Sequence, residues 1–262
     1  MNANKPTLTL GPVLYLWEGE KWRDFYFRIA DEAPVSHVVI GETVCSKRLH
    51  FTDPYFAPVI ERLVAAGKRI VLSTLALVTL ERESQYVRSL IADSPYPVEA
   101  NDLSALALLE REPHWIGPLV NVYNAATARV LARRGARAIC LPPELPASSI
   151  DEIVAHTPGV DFEVLAFGRM PLAISARCAH ARAKGHIKDN CQRFRLSPQD
   201  CDMVSVARLY DGVLHGRLDA EDGLARLRQI YPTAPFSNGF HHGQEGAAWI
   251  ARARNTAHGA NA

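Results

Sequence analysis

Short apolar, β-branched runs alternate along the chain with stretches whose apolar positions recur at helical spacing. The runs cover residues 7–17 (TLTLGPVLYLW, broken at Gly11-Pro12), 37–41 (HVVIG), 69–73 (RIVLS), 97–100 (PVEA), 116–122 (IGPLVNV), 136–141 (ARAICL), 162–167 (FEVLAF) and 193–197 (RFRLS). Near-continuous apolar strands of this kind suit a parallel sheet covered on both faces. Helical spacing occupies residues 21–30, 55–66, 81–91, 103–110, 125–134 and 149–156. Gly67 and Gly135 follow two of these segments where a left-handed C-cap is wanted, and Asp102 and Asn124 precede two others where an N-cap belongs. The pattern gives about eight strands with intervening helices over roughly 230 residues, which predicts a (β/α)8 TIM-like barrel. No G-x-G-x-x-G follows the first strand, so an open dinucleotide-binding sheet is disfavoured. Without repeats or linkers, residues 1–262 read as a single barrel-like domain ending in a flexible tail over 252–262.

Length and charge narrow the functional classes. The chain has 262 residues, 48% hydrophobic, with 29 Lys+Arg against 28 Asp+Glu and a net charge of +1. That balance offers no general attraction to nucleic acid or an anionic membrane. No apolar run reaches the roughly 20 residues of a membrane span, and the first residues lack the apolar stretch of a signal peptide. A cytoplasmic protein is expected. Five cysteines are too few, and odd in number, for a disulfide scaffold at this length.

The placement of those cysteines is informative. In a barrel, function gathers on the loops after the C-terminal ends of the strands. Cys45 follows the HVVIG strand, Cys178 and Cys191 lie in the long stretch after FEVLAF, and Cys201 follows RFRLS. Four of the five thus map to one rim, whereas Cys140 lies inside the ARAICL strand and reads as a small buried hydrophobe. Residues 175–192 form a basic, cysteine-bearing site loop where a crossover helix would ordinarily stand; the connection is long enough for a crossover, but its composition suits a site more than a packing element. Thiolates near Lys47, Arg48, Arg177, Arg182 and Lys188 suit zinc or an iron–sulfur cluster. Zinc usually takes closely spaced C-x2-4-C pairs, absent here, whereas a cluster gathers ligands from distant loops. The alternative on spacing alone is a set of unrelated thiols.

Longer strings point to a family. Residues 40–48 (IGETVCSKR), 98–102 (VEAND), 121–124 (NVYN), 140–145 (CLPPEL), 167–173 (FGRMPLA) and 175–178 (SARC) resemble the UbiV family of bacterial ubiquinone-biosynthesis proteins, relatives of the collagenase-like peptidases. Residues 195–200 (RLSPQD) and 237–240 (SNGF) fit as well, and the likeness runs in order through nearly the whole chain. The resemblance implies a barrel-like fold, a [4Fe–4S] cluster on four cysteines, and a homologous UbiU-like partner in a heterodimer. The implied activity is oxygen-independent ring hydroxylation of a quinone precursor during anaerobic ubiquinone synthesis. It also assigns cluster ligation to Cys45, Cys178 and Cys191, matching an early cysteine and the first two of a late C-x12-C-x3-C group. Against the family's pattern the fourth ligand position falls on Arg195, because Cys191-Gln192 runs straight into the RFRLS strand; the resemblance thus implies that the crossover before the last strand is shortened here. Cys201 or a non-cysteine group is then required as the fourth ligand. A degenerate, non-catalytic relative without a cluster is the first alternative, and a peptidase-like hydrolase the second.

Other candidates are weaker. Glu42, Glu99, Asp102 and Glu144 each stand at a strand end, where barrel enzymes keep catalytic carboxylates. Asn121, Tyr123 and Asn124 suit either ligand contact at the mouth or packing and capping. His241-His242, with His114, His180 and His186, lack the i, i+4 spacing that would converge on a metal. No nucleophile elbow, P-loop or His-Glu-x-x-His appears.

Overall fold

The computed structural model describes residues 7–169 and 200–232. Its centre is a seven-stranded parallel sheet in chain order: β1 (Thr9–Leu10), β2 (His37–Ile40), β3 (Arg69–Ser73), β4 (Val98–Ala100), β5 (His114–Ile116), β6 (Ala136–Cys140) and β7 (Asp161–Glu163). Helices α1 (Gly19–Glu32), α2 (Leu49–Ala65), α3 (Glu81–Asp93), α4 (Leu103–Leu109), α5 (Ala125–Arg133) and α6 (Ala147–Ala155) fill the successive crossovers. After residue 199 come α7 (Met203–Leu214) and α8 (Ala220–Ile230).

This is the architecture of a barrel wall, with each strand paired to its chain neighbour. The sheet curls far enough for the first and last described strands to touch through side chains, the Thr9 hydroxyl donating to the Glu163 carboxylate. Across the same interior, the rings of His37 on β2 and Trp115 on β5 lie 5.2 Å apart, although β3 and β4 separate those strands. The expected eighth strand, residues 193–197, lies outside the described residues, as do the 175–192 loop and the 252–262 tail.

The outward face of the sheet packs in two bodies. One joins Leu10, Val38, Ile40, Ile70 and Leu72 to Tyr26, Ile29, Val59 and Leu63 of α1 and α2, and is extended by Met203, Val204 and Leu227 of α7 and α8. The other joins Val98, Ala100, Ile116 and Ile139 to Val87, Leu106, Ala128, Leu131 and Ile153 of α3 to α6. Period-2 alternation turns the intervening strand residues inward.

Most expected elements appear within a residue or two. Asn124 caps α5 by accepting the Thr127 N–H at 2.9 Å, and Asp102 caps α4 by accepting the Ser104 N–H at 2.8 Å. Gly67 and Gly135 take positive φ, as expected of their positions. Three differences stand out. β1 is only two residues of the long 7–17 run. The fifth strand is His114–Ile116 rather than 116–122, because Gly117-Pro118 opens a 3-10 turn over Pro118–Val120. α2 begins at Leu49, six residues before the expected start, and carries Pro54 and Pro58 within it. None of the described helices is long and apolar enough to cross a membrane.

Candidate functional site at the carboxyl ends of the strands

The loop after β2 carries Cys45, half-buried and in an extended backbone conformation ahead of a short 3-10 turn. Its position is set by Glu42, whose Oε1 accepts the backbone N–H groups of Val44 at 2.7 Å and Cys45 at 2.8 Å. Burial pushes the Glu42 carboxyl up from its ordinary value, and the Arg48 guanidinium and those two N–H groups oppose it. Arg48 is itself buried and donates through one terminal nitrogen to the Leu14 carbonyl at 2.9 Å. The next residue, Ser46, donates to Glu83 on α3 at 2.8 Å. Burial alone would raise the Glu83 carboxyl, but bonds from Thr79, Ser46 and Leu80 hold it below the ordinary range. Carboxylates on both sides thus fix the backbone around Cys45.

A second group of polar residues lines the interior. The Thr43 and Ser73 hydroxyls are 2.6 Å apart, and Asn101 Nδ2 donates to Ser73 Oγ at 3.1 Å and to Glu99 Oε1 at 2.8 Å. This chain links the ends of β2, β3 and β4. Gly117 makes it fit: a Cβ there would lie 1.9 Å from Asn101 Oδ1. Glu99 is 4% exposed. Burial pushes its carboxyl up to about 7, with the Asn101 bond opposing and the Glu163 charge adding to the rise. Glu163 is also raised by burial, less its bond from Thr9 and plus the charge of Asp161. Cys140 feels both carboxylates, and burial together with those charges pushes its thiol well up. It lies on the inward side of β6, beside those carboxylates.

The remaining rim residues divide plainly. Tyr123 donates to Glu144, a contact that raises the phenol to about 12, and both are exposed to solvent or nearly so. Asp102 and Asn124 are helix caps. Asn121 takes a left-handed conformation, φ 61°, that ends the 3-10 turn after β5. His114 is buried on β5 with Nδ1 2.7 Å from the Glu112 carbonyl. Cys201 lies in an open groove along α1 with Trp17, Phe25, Met203 and Val204, and burial and the flanking Asp202 and Asp200 push its thiol to about 11. Cys178 and Cys191 lie outside the described residues, as do His180, His186, His241 and His242. Among the described residues, no three His, Cys, Asp or Glu side chains converge on a metal position.

Glu163 and Thr9 were not among the expected site residues. Both sit in runs read as apolar, yet Asp161-Phe162-Glu163 alternates with period 2, and that alternation already places two carboxylates on one face of a strand.

The model of peptidase family U32 matches residues 18–201, from the N-terminal end of α1 through the barrel wall to the start of α7. The chain belongs to the U32 peptidase family. Among solved structures, this U32 chain is similar to an enolase from Agrobacterium radiobacter, described as a putative galactarate dehydratase bound to sodium and L-malate. The identity is 10% and the TM-score 0.39, over 75% of this chain and 57% of that one.

Proposed function

We propose that this U32-family chain is a UbiV-type iron–sulfur protein. It acts with a UbiU-like partner in oxygen-independent ring hydroxylation of a quinone precursor. The observation that carries the reading is Cys45, the one described member of the assigned thiol set. It stands at a strand's carboxyl end, its N–H held by a buried carboxylate and its side chain in no disulfide. Such a residue type in such a place fits a cluster ligand, since thiolates are the usual ligands of [4Fe–4S] groups. Cys45, Cys178 and Cys191 would hold the cluster, and Cys201 or a non-cysteine group would complete it. The bound cluster would supply one-electron redox chemistry. The protein's part would be to fix the Cys45 loop through Glu42 and Ser46, with Lys47 and Arg48 following in the same 3-10 turn.

Anaerobic reconstitution followed by iron and sulfide analysis tests the proposal. About four of each per chain, with a brown protein, is the expected result. Cys45→Ser should lower both by more than half while the far-ultraviolet circular dichroism stays unchanged. Values near zero in the unaltered chain would overturn the cluster reading. They would favour the second reading, a cluster-free relative retained for binding, for which Arg195 at the fourth ligand position is the specific support.

Peptide hydrolysis, which the family name suggests, finds less support. Cys140 and Cys201 are pushed towards the protonated thiol, the weaker nucleophile. Among the described residues, serine meets histidine at Ser36 and His37, 2.9 Å apart. They sit at the amino end of β2, away from the loops after the strands, and Ser36 also donates to the Leu8 carbonyl.

A further inference from the structure

Glu42 and Arg48 are both buried, 8% and 4% exposed. Glutamate and arginine are seldom this deep unless paired, yet among the described residues no ion pair or hydrogen bond joins their side chains. Each keeps a polar atom uncommitted. Glu42 Oε1 takes the Val44 and Cys45 N–H groups, which leaves Oε2 over. Arg48 Nη1 is bonded to the Leu14 carbonyl, and Nε, sealed from solvent, has no protein partner. Both side chains line one narrow cavity, walled otherwise by Val13, Trp17, Trp22 and Phe51. Its free volume is about 10 Å³, room for one water and for no larger ligand. We propose that this cavity binds a single ordered water, which accepts the Arg48 Nε–H and donates to Glu42 Oε2, and that Arg48 is thereby a positioning residue for the Cys45 loop.

The chemistry of the two groups selects the occupant. A guanidinium N–H left bare among apolar side chains carries its whole desolvation cost, whereas a bridging water recovers nearly a direct bond. Arginine only donates and a carboxylate oxygen only accepts; a water does both. Thr52, on the same wall, donates its hydroxyl to the Leu49 carbonyl at 3.2 Å and keeps lone pairs for a third contact. That brings the water to the usual two to four partners. The bridge completes a chain of contacts from the Leu14 carbonyl through Arg48 and Glu42 to the Cys45 N–H, so the segment after β1 and the loop after β2 are held as one piece. The Arg48 backbone N–H also donates to the Cys45 carbonyl at 2.9 Å, closing the loop on itself. The inference concerns the geometry of the loop and holds whether or not Cys45 ligates a cluster.

Nuclear Overhauser contacts between water and protein, measured on the whole chain, test the bridge: the Arg48 Nε–H should show a long-lived water contact. Amide hydrogen exchange tests the positioning. In Arg48→Met, which keeps an apolar stem and removes every donor, protection of the Val44 and Cys45 amides should fall about tenfold, while Val59 and Leu63 of α2 keep theirs. Absence of the water contact in the unaltered protein overturns the proposal. So does a variant in which the two amides stay protected, or lose protection only in step with α2. The water measurement needs no variant and decides alone if Arg48→Met does not fold.

Discussion

Substituting Gly117 by alanine tests the polar network through sterics alone. Gly117 has φ −78° and ψ 166°, a conformation any residue adopts, so the backbone itself imposes no penalty. On entropy grounds Gly→Ala at such a site should stabilise by about 0.4–1 kcal/mol. The new Cβ, however, would fall 1.9 Å from Asn101 Oδ1 and 2.6 Å from its Cγ. Asn101 is 2% exposed and bonded to Glu99, Ser73 and Thr74, so it cannot step aside without leaving them. Losing a bond to a buried carboxyl costs about 1.5–3 kcal/mol, and crowding adds about 1–3 kcal/mol. After the entropy gain, the net loss should be about 1.5–5.5 kcal/mol. Urea unfolding would show it as a lower midpoint at unchanged slope. In an Asn101→Ala background the same substitution should cost little or become favourable, a coupling of about 2 kcal/mol. A Gly117→Ala protein as stable as the unaltered one would refute the reasoning.

Two further outcomes follow from the same geometry. Glu99 keeps its proton to about pH 7 when folded and releases it near 4.5 when unfolded, so stability should fall as pH rises through that window and then level off. The loss is about 3 kcal/mol; Glu99→Gln should flatten the curve, and parallel curves for the two proteins at pH 5 and pH 8 would contradict it. Tyr26, fully buried on α1, accepts the Val13 N–H at 3.3 Å. Tyr26→Phe strands that N–H and should cost about 1–2 kcal/mol, measured by thermal unfolding; an unchanged midpoint would assign the bond no weight.

The wall of the barrel was legible because burial imposes periodicity. The strand at residues 69–73 was read to the residue, and the caps of α4 and α5 announced themselves through Asp102 and Asn124. Where reading failed, a local signal competed with a tertiary one. Pro54 marks a helix start by propensity, yet α2 already runs from Leu49 and carries both Pro54 and Pro58 within it. In residues 116–122 the apolar run continues, but the Gly-Pro pair ends the strand. At the site, Cys45 and Glu99 were found because strand ends are where barrels present side chains. Glu163 was hidden because two apolar neighbours, Phe162 and Val164, made its segment look like packing.

The outward-facing hydrophobic packing is divided, with one body over β1 to β3 and another over β4 to β6. The seam falls between Ser73 and Glu99, where Asn101 stitches the two halves by polar bonds rather than shared oil. Each half therefore keeps its own hydrophobic reservoir when the stitch is cut. Severing the chain in the α3 region would leave two pieces that each retain a reason to stay folded, and their reassembly would depend on hydrogen bonds that water can compete for and on the return of Met203, Val204 and Leu227 to the first body.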